Sequence, residues 1–311
     1  MARPYQQLGA TEFCILLQLY DKVSLTVSHI RKLCFRSNAG TSAHKIIRKL
    51  KQLGFVQSAS YDFGSRGRLE DVHILSYQGW QCLVHFDLLD ETISPFLKKV
   101  APKLIADCVH RMAIIEYWIA LEIDIAQQSA YELTLFMPEF KRLENGKTIG
   151  LSYEDSFGHV WRLRNDALFI VRDILKEQEY LYLLEIDRGT VPIALKDNSR
   201  ETLNNMVYGR SCIESKLLKI QYLLSVFNKS VRALGKRFTH FDGARVLVIT
   251  SSAQRVRNII AKVPIHSDLL RMEVFLLSYF DETNKGAFSC RYAVPSLRGE
   301  TGLIETRRLL F

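Results

Sequence analysis

Three carboxylates, Asp166, Glu185 and Asp187, stand in or beside apolar runs in the stretch WRLRNDALFIVRDILKEQEYLYLLEIDRGT, residues 161–190. The runs, Val160–Val171 and Tyr180–Ile186, are dense in aliphatic and aromatic residues, as buried strands are, and a charged turn separates them. A carboxylate inside a core strand costs several kcal/mol unless it is paired or binds a cation. Strand alternation puts Glu185 and Asp187 on one face. Carboxylate oxygens are hard ligands suited to Mg²⁺ or Mn²⁺, and such an ion can activate water for phosphodiester cleavage. The expected chemistry is a divalent-metal, nuclease-like site. The competing explanation is structural: Asp187 bridges Arg188 at the surface and Asp166 caps a turn.

Other chemistries find less support. Gly64-Ser65-Arg66-Gly67 lacks the Lys-Ser/Thr of a phosphate loop. His240-Phe241-Asp242 is not a metal-binding histidine cluster, and no nucleophile elbow is present. Thirteen tyrosines leave a tyrosine nucleophile open, with none singled out. The six cysteines, Cys14, Cys34, Cys82, Cys108, Cys212 and Cys290, contain no CxxC pair, which argues against structural zinc or a disulfide framework. With no leader-like N-terminus and no 18-residue apolar run, the expectation is a reduced, cytoplasmic protein without a membrane segment.

The carboxylates need strands to hold them, and from Glu132 onward the pattern supplies a mixed set. Strands are expected at Glu132–Phe136 and in the two runs above. A long amphipathic helical region follows over residues 199–234, then strand Arg245–Thr250, helix Ala253–Lys262 and strand Met272–Tyr279. The early strands are close enough for an antiparallel meander, and the later ones need crossovers. Before them, Phe96–Ile125 reads as a helix disturbed by Pro102. Its His110 reads as a packed or surface residue. Ser94-Pro95 marks a boundary between residues 1–93 and 94–311. The tail from Asp281 reads as partly irregular.

The first segment has a different character. Of the 311 residues, 42 are Lys/Arg and 33 are Asp/Glu, a net charge of +9. Residues 1–70 hold eleven Lys/Arg against four Asp/Glu, so most of that excess lies there. Such asymmetry favours a nucleic-acid partner. Helices are expected at 11–20 (capped by Thr11), at 26–35, and at 41–53, ended by Gly54. The third carries Thr41, Ser42, His44, Lys45, Arg48, Lys49 and Lys51 around a core stripe of Ile46, Ile47, Leu50 and Leu53. Two strands, Phe55–Ser60 and Asp71–Ser76, follow, joined by a loop with Arg66 and Arg68. This is the order of a winged helix-turn-helix, whose third helix enters the major groove while the wing reaches the backbone or minor groove of double-stranded DNA. The fold class expected is therefore mixed α/β (α+β).

Several segments together resemble the replication-relaxation family of plasmid and integrative-element proteins. They are the N-terminal winged helix, Cys108-Val109-His110-Arg111, Asn165-Asp166-Ala167, Leu184–Thr190, Ser215-Lys216-Leu217-Leu218 and the late RVLVITSSAQRVRNII, together covering roughly residues 5–265. The resemblance implies a winged helix followed by a restriction-endonuclease-like domain of the PD-(D/E)XK type. It also implies a place in conjugation, plasmid mobilisation or replication, similar to MobC-type relaxases. Carried over, Asp166, Glu185 and Asp187 are the metal and cleavage residues, with Mg or Mn bound by Asp166 and Glu185. The partners are then an origin of transfer or replication and other relaxosome or coupling proteins.

One departure bears on activity. Glu185-Ile186-Asp187 has Asp187 where the pattern asks for lysine, and Lys196, Arg164 or Arg188 are the candidates to supply the positive charge instead. Three functions remain: a relaxase-like metal-dependent nickase, a non-catalytic origin-binding accessory protein, and a transcriptional regulator.

Overall fold

The computed structural model describes residues 8–35, 40–61, 70–92, 104–141, 151–154, 156, 158, 160–189, 212, 213, 216, 220, 241–250, 252–262, 275–279, 292–295 and 304–307. Arg66, Arg68, Ser94-Pro95, Pro102, Lys196, the Thr41 side chain and most of residues 199–234 and of the tail lie outside it. The chain divides into two compact units, Met1–Ile119 and Ala120–Phe311.

In the first unit, α1 (Ala10–Lys22) starts at Gly9, whose N–H donates to the Glu12 carboxylate at 3.2 Å. Thr11, expected as the cap, is instead inside the first turn, because an acidic side chain already takes the orphan N–H. Ile15, Leu16 and Leu19 form the buried stripe. β1 (Ser24–Thr26) leads into α2 (Val27–Cys34), where Thr26 Oγ1 accepts the His29 N–H at 3.2 Å. α3 (Gly40–Gln52) buries Ala43, Ile47 and Leu50. The chain leaves it through Gly54 at φ +76°, a conformation that side chains disfavour.

β2 (Val56–Ala59) and β3 (Val72–Leu75) pair antiparallel, and β1 adds to the far side of β3. β1 has only three residues, too few to show a period, so sequence reasoning passes over it. α4 (Tyr77–His85) is capped by Ser76, whose Oγ accepts the Gly79 N–H at 3.0 Å. Gly79 must lack a side chain, since a Cβ there would fall 2.4 Å from the Phe55 carbonyl oxygen.

α5 (Leu104–Ala126) follows, and its residues through Ile119 belong to the first unit. There Glu116 Oε2 meets His29 Nε2 at 2.7 Å, and its other oxygen takes Lys32. His29 Nδ1 accepts the Thr26 N–H at 3.3 Å, so Nε2 is the nitrogen that donates to Glu116. Burial opposes charge on Glu116, but the bonds from His29 and Lys32 outweigh it and hold the carboxyl at about 2.

The second unit is built on one large sheet, and the chain as a whole is of the mixed α/β class expected. β4 (Tyr131–Pro138) comes first; β5 (Leu151–Glu154) and β6 (Val160–Leu163) then form a separate two-stranded sheet. β7 (Ala167–Asp173) and β8 (Gln178–Asp187) complete an antiparallel meander with β4. β9 (Gly243–Thr250) runs parallel to β8. α6 (Ala253–Lys262) then packs on β9 and on β10 (Phe275–Tyr279), which is parallel to β9. β11 (Tyr292–Pro295) and β12 (Ile304–Arg307) continue the sheet antiparallel, giving the order β12-β11-β10-β9-β8-β7-β4. These last two strands lie in the tail expected to be partly irregular.

The run expected as one strand, Val160–Val171, is two. It breaks at Arg164-Asn165-Asp166, where polar side chains replace the apolar pattern and those of Asn165 and Asp166 turn to partners on β8. One aromatic row crosses the sheet: Phe136 on β4, Phe169 on β7 and Tyr182 on β8 are register partners. Their rings stack at 5.7 and 4.7 Å, with 8° and 5° between planes. Arg245, opposite Tyr182 on β9, closes the row with its guanidinium 6.0 Å from the Tyr182 ring centre. All three aromatic side chains are buried.

Candidate functional site

The break between β6 and β7 puts Asp166 immediately before β7, beside the last residues of β8. The Asp166 backbone N–H donates to the Leu184 carbonyl at 3.1 Å, and its Oδ2 accepts the Ile186 N–H at 2.6 Å. The side chain therefore continues the ladder in place of a backbone carbonyl, which fixes its direction. Asn165 Nδ2 donates to Glu185 Oε1 at 2.9 Å. Asp166 and Glu185 are only 6% and 5% exposed.

The cation that faces them is Lys216. Its Nζ bonds Glu185 Oε2 and stands 4.0 Å from Asp166 Oδ1. Ile213, Lys216 and Ile220 are helical, and the Lys216 N–H donates to the Cys212 carbonyl at 3.1 Å, one helical turn back. Ile213 and Ile220 are buried at helical spacing on either side of Lys216, so the lysine belongs to an apolar stripe.

Burial pushes the Glu185 carboxyl up to about 8, with Lys216 pulling it back and the charge of Asp166 adding to the rise. Burial alone would lower the Lys216 ammonium. The negative charges of Glu185 and Asp166 outweigh that effect and hold it above the ordinary lysine range. Two buried acids and one partly exposed ammonium thus sit together. Sites tuned in this way are where chemistry is found more often than chance would place it.

Asp187 goes elsewhere. Arg255 of α6 reaches it with Nε at 2.7 Å from Oδ2 and Nη2 at 3.3 Å from Oδ1, a two-pronged pair. The Gly189 N–H also donates to its Oδ1 at 2.9 Å. Arg164 and Arg188 are exposed; Arg164 Nε pairs with Glu139 Oε2 at 3.0 Å. The Glu139 backbone N–H in turn donates to the Asp166 carbonyl at 2.8 Å. Of the three carboxylates, then, Asp166 and Glu185 are together and Asp187 anchors α6. Among the described residues no three His, Cys, Asp or Glu side chains gather to hold a metal ion.

The two acids nevertheless fit a divalent cation. Both are hard oxygen donors, both already face one shared positive charge, and Mg²⁺ is commonly held by one or two carboxylates with water completing its shell. Lys216 is the member of the site that sequence reasoning missed. The only trace in the sequence is its place at i+3 and i−4 from Ile213 and Ile220, which an ordinary amphipathic helix also shows.

In the first unit, His44, Lys45, Arg48 and Lys51 are exposed along α3, and Ser42 is half-buried. Lys49 is turned away from them, its Nζ 2.8 Å from Glu12 Oε1 on α1. A cavity of about 680 Å³ lies between α3 and the strands, lined by His44, Arg48, Lys51, Glu70, Asp71 and His73 among others. His73 is buried, with Nδ1 2.7 Å from Ser58 Oγ and, among the described residues, no hydrogen-bond partner at Nε2. Burial, with help from Lys51, pushes its pKa down to about 4.

No described helix is long and apolar enough to cross a membrane. A family model described as replication-relaxation matches residues 16–205, more than half of the chain and a span that includes both buried acids but stops short of Lys216. No curated protein and no solved structure matches.

Proposed function

Because the chain belongs to the replication-relaxation family, with a role in replication or mobile-element DNA processing, we propose that it binds duplex DNA at an origin and nicks one strand there. The observation that carries the reading is Lys216, delivered from a helix to Glu185 and Asp166. The lysine absent from the Glu185-x-Asp187 string is thereby supplied from elsewhere in the fold. The strand order, with the antiparallel meander β4-β7-β8 followed by parallel β9 and β10, supports a nuclease-like domain. The order of α1 to β3, with a basic exposed face on α3, supports a winged helix that reads the major groove.

In this reading the side chains divide the work. Asp166 is held rigidly by the Ile186 N–H and directs Oδ1 toward the reacting phosphate. Glu185 is oriented by the Asn165 amide and the Lys216 ammonium, so that its carboxylate faces the same point as Asp166. Lys216 places a positive charge where the phosphate gains negative charge, an effect whose removal costs about 10²–10³ in rate in comparable sites. Asp166 and Glu185 would hold Mg²⁺ or Mn²⁺, which when bound would supply an acidified water and further charge neutralisation. Asp187, occupied by Arg255, positions α6 and does not touch the phosphate.

The test is conversion of a supercoiled plasmid carrying the element's origin to the open circle, with Mg²⁺ or Mn²⁺. Asp166→Asn, Glu185→Gln and Lys216→Met are each expected to abolish nicking while leaving gel-shift affinity within a few-fold of wild type. Wild-type protein that never nicks under either metal, or variants that nick as well as wild type, defeats the proposal.

A second reading has its own support: Lys216 already balances the two acids, and no third ligand is gathered among the described residues. The protein is then an origin-binding accessory that recruits a separate nuclease. It predicts normal mobilisation with the three variants above, and loss of mobilisation on changing Arg48 and Lys51.

A further inference from the structure

We propose that Cys14 and Cys34 form a peroxide-sensitive dithiol, a modification site at which oxidation ties α1 to the end of α2. The two sulfurs are 2.7 Å apart although 20 residues separate them in the chain. A disulfide requires about 2.05 Å, so the sulfurs need approach by only about 0.7 Å more. Both side chains are half-buried, open enough for a small oxidant, whereas the other described cysteines, Cys82, Cys108 and Cys212, are buried. Among the described residues no third His, Cys, Asp or Glu joins the pair to make a metal site.

The electrostatics single out the attacking sulfur. The hydrogen bond shared with Cys34 brings the Cys14 thiol down to about 7, against burial and with help from the Lys22 charge. The same bond, with burial, pushes Cys34 up. Burial also pushes Cys82 up to about 11 and raises Cys108. At neutral pH Cys14 thus carries the largest thiolate fraction among these four, and the thiolate is the reactive form.

The oxidant is hydrogen peroxide. The Cys14 thiolate attacks one peroxide oxygen; an S–O bond forms, the O–O bond breaks, and hydroxide leaves to take up a proton as water. The sulfur loses two electrons and peroxide gains them. Cys34 then attacks the Cys14 sulfur, forming the S–S bond, breaking the S–O bond and releasing a second water with the Cys34 proton. Overall, two thiols and one peroxide give a disulfide and two waters. Cys34 is the last residue of α2, and α3 is itself held to α1 by Lys49 and Glu12. The bridge therefore joins α2 to the helix that already holds α3. Nothing in this depends on whether the chain nicks DNA.

The experiment uses the full chain, freed of reductant, titrated with hydrogen peroxide, alkylated, digested and read by mass spectrometry. The expected product is one linked peptide pair, Cys14 to Cys34, two hydrogens lighter than the sum and restored by dithiothreitol. It should form at doses that leave Cys82, Cys108 and Cys212 fully alkylated. In Cys34→Ser, Cys14 should instead accumulate sulfenic acid that dimedone traps. If Cys14 and Cys34 stay fully alkylated through doses that oxidise the buried cysteines, or if Cys14 in Cys34→Ser gives no dimedone adduct, the proposal fails. Should Cys34→Ser not fold, by circular dichroism, the wild-type linkage map decides alone.

Discussion

Replacing Lys216 with methionine keeps the length and the apolar stem of the side chain and deletes its charge. Asp166 and Glu185 then face each other with no ammonium between them. Removing one partner of a fully buried ion pair costs about 3–5 kcal/mol. Lys216 is 34% exposed at its side chain, so solvent screens part of the interaction, and Glu185 can relieve the rest by keeping its proton. A loss of about 2 kcal/mol remains after that discount. For a unit the size of Ala120–Phe311 it corresponds to a fall of roughly 4–8 °C in that unit's thermal midpoint. Circular-dichroism melts of wild type, Lys216→Met, Glu185→Gln and the double variant form a closed cycle. The double variant should recover part of the single-variant loss, because Lys216→Met leaves both Asp166 and Glu185 without the ammonium, whereas the double variant leaves Asp166 alone of the two. A Lys216→Met protein that melts with wild type refutes the reasoning, as does a double variant whose loss equals the sum of the two singles.

Three further outcomes are expected. Asp187→Asn and Arg255→Ala should destabilise by similar amounts with a coupling of about 1–3 kcal/mol, and Asp187→Asn should nick within a few-fold of wild type; abolished nicking with unchanged stability would return Asp187 to the reacting phosphate. His73 binds its proton at about 4 when folded and near 6.5 when unfolded, so the unfolded state holds more protons between those values. That stabilisation is complete above pH 6.5 and is lost as pH falls toward 4, by about 3 kcal/mol in total; His73→Gln should flatten this part of the urea-unfolding profile, while Glu116 adds its own loss only below pH 4.5. Arg48→Ala should lower the slope of log affinity for duplex DNA against log salt by about one, whereas Lys49→Ala should lower stability and leave the slope alone, since Lys49 is held by Glu12; equal slopes for both variants would contradict the orientation of α3.

The sequence made the mixed class legible because most elements announce themselves through period and caps. α6 runs over the residues the pattern marks, and α2 and β8 differ from expectation only at their ends. Val160–Val171 misled because a run of apolar residues says nothing about a bend whose cause lies on another strand. Asn165 and Asp166 turn toward Glu185 and Ile186, partners about twenty residues away. Lys216 was out of reach for the same reason. It lies 31 residues beyond Glu185, and only the packing of its helix reveals that it, and not Arg164, Arg188 or Asp187's own neighbours, meets the acids. The cost of a buried charge was readable in the strands, where two acids stood out. On the helix the same cost was hidden by an ordinary amphipathic pattern.

The aromatic row has a bearing on the acids that lie off it. Phe169 and Tyr182 are register partners, and counting three residues outward from each, back along β7 and forward along β8, arrives at Asp166 and Glu185. Three is an odd step, so along the regular part of β8 Tyr182 and Glu185 face opposite sides of the sheet. A slip of the hairpin by one residue would throw Phe169 off the stack and bury an aromatic ring where a carboxylate belongs. The stack therefore acts as an alignment mark on the back of the sheet for a site on its front. The front can be rewritten, acid by acid, while the mark that keeps its spacing stays untouched.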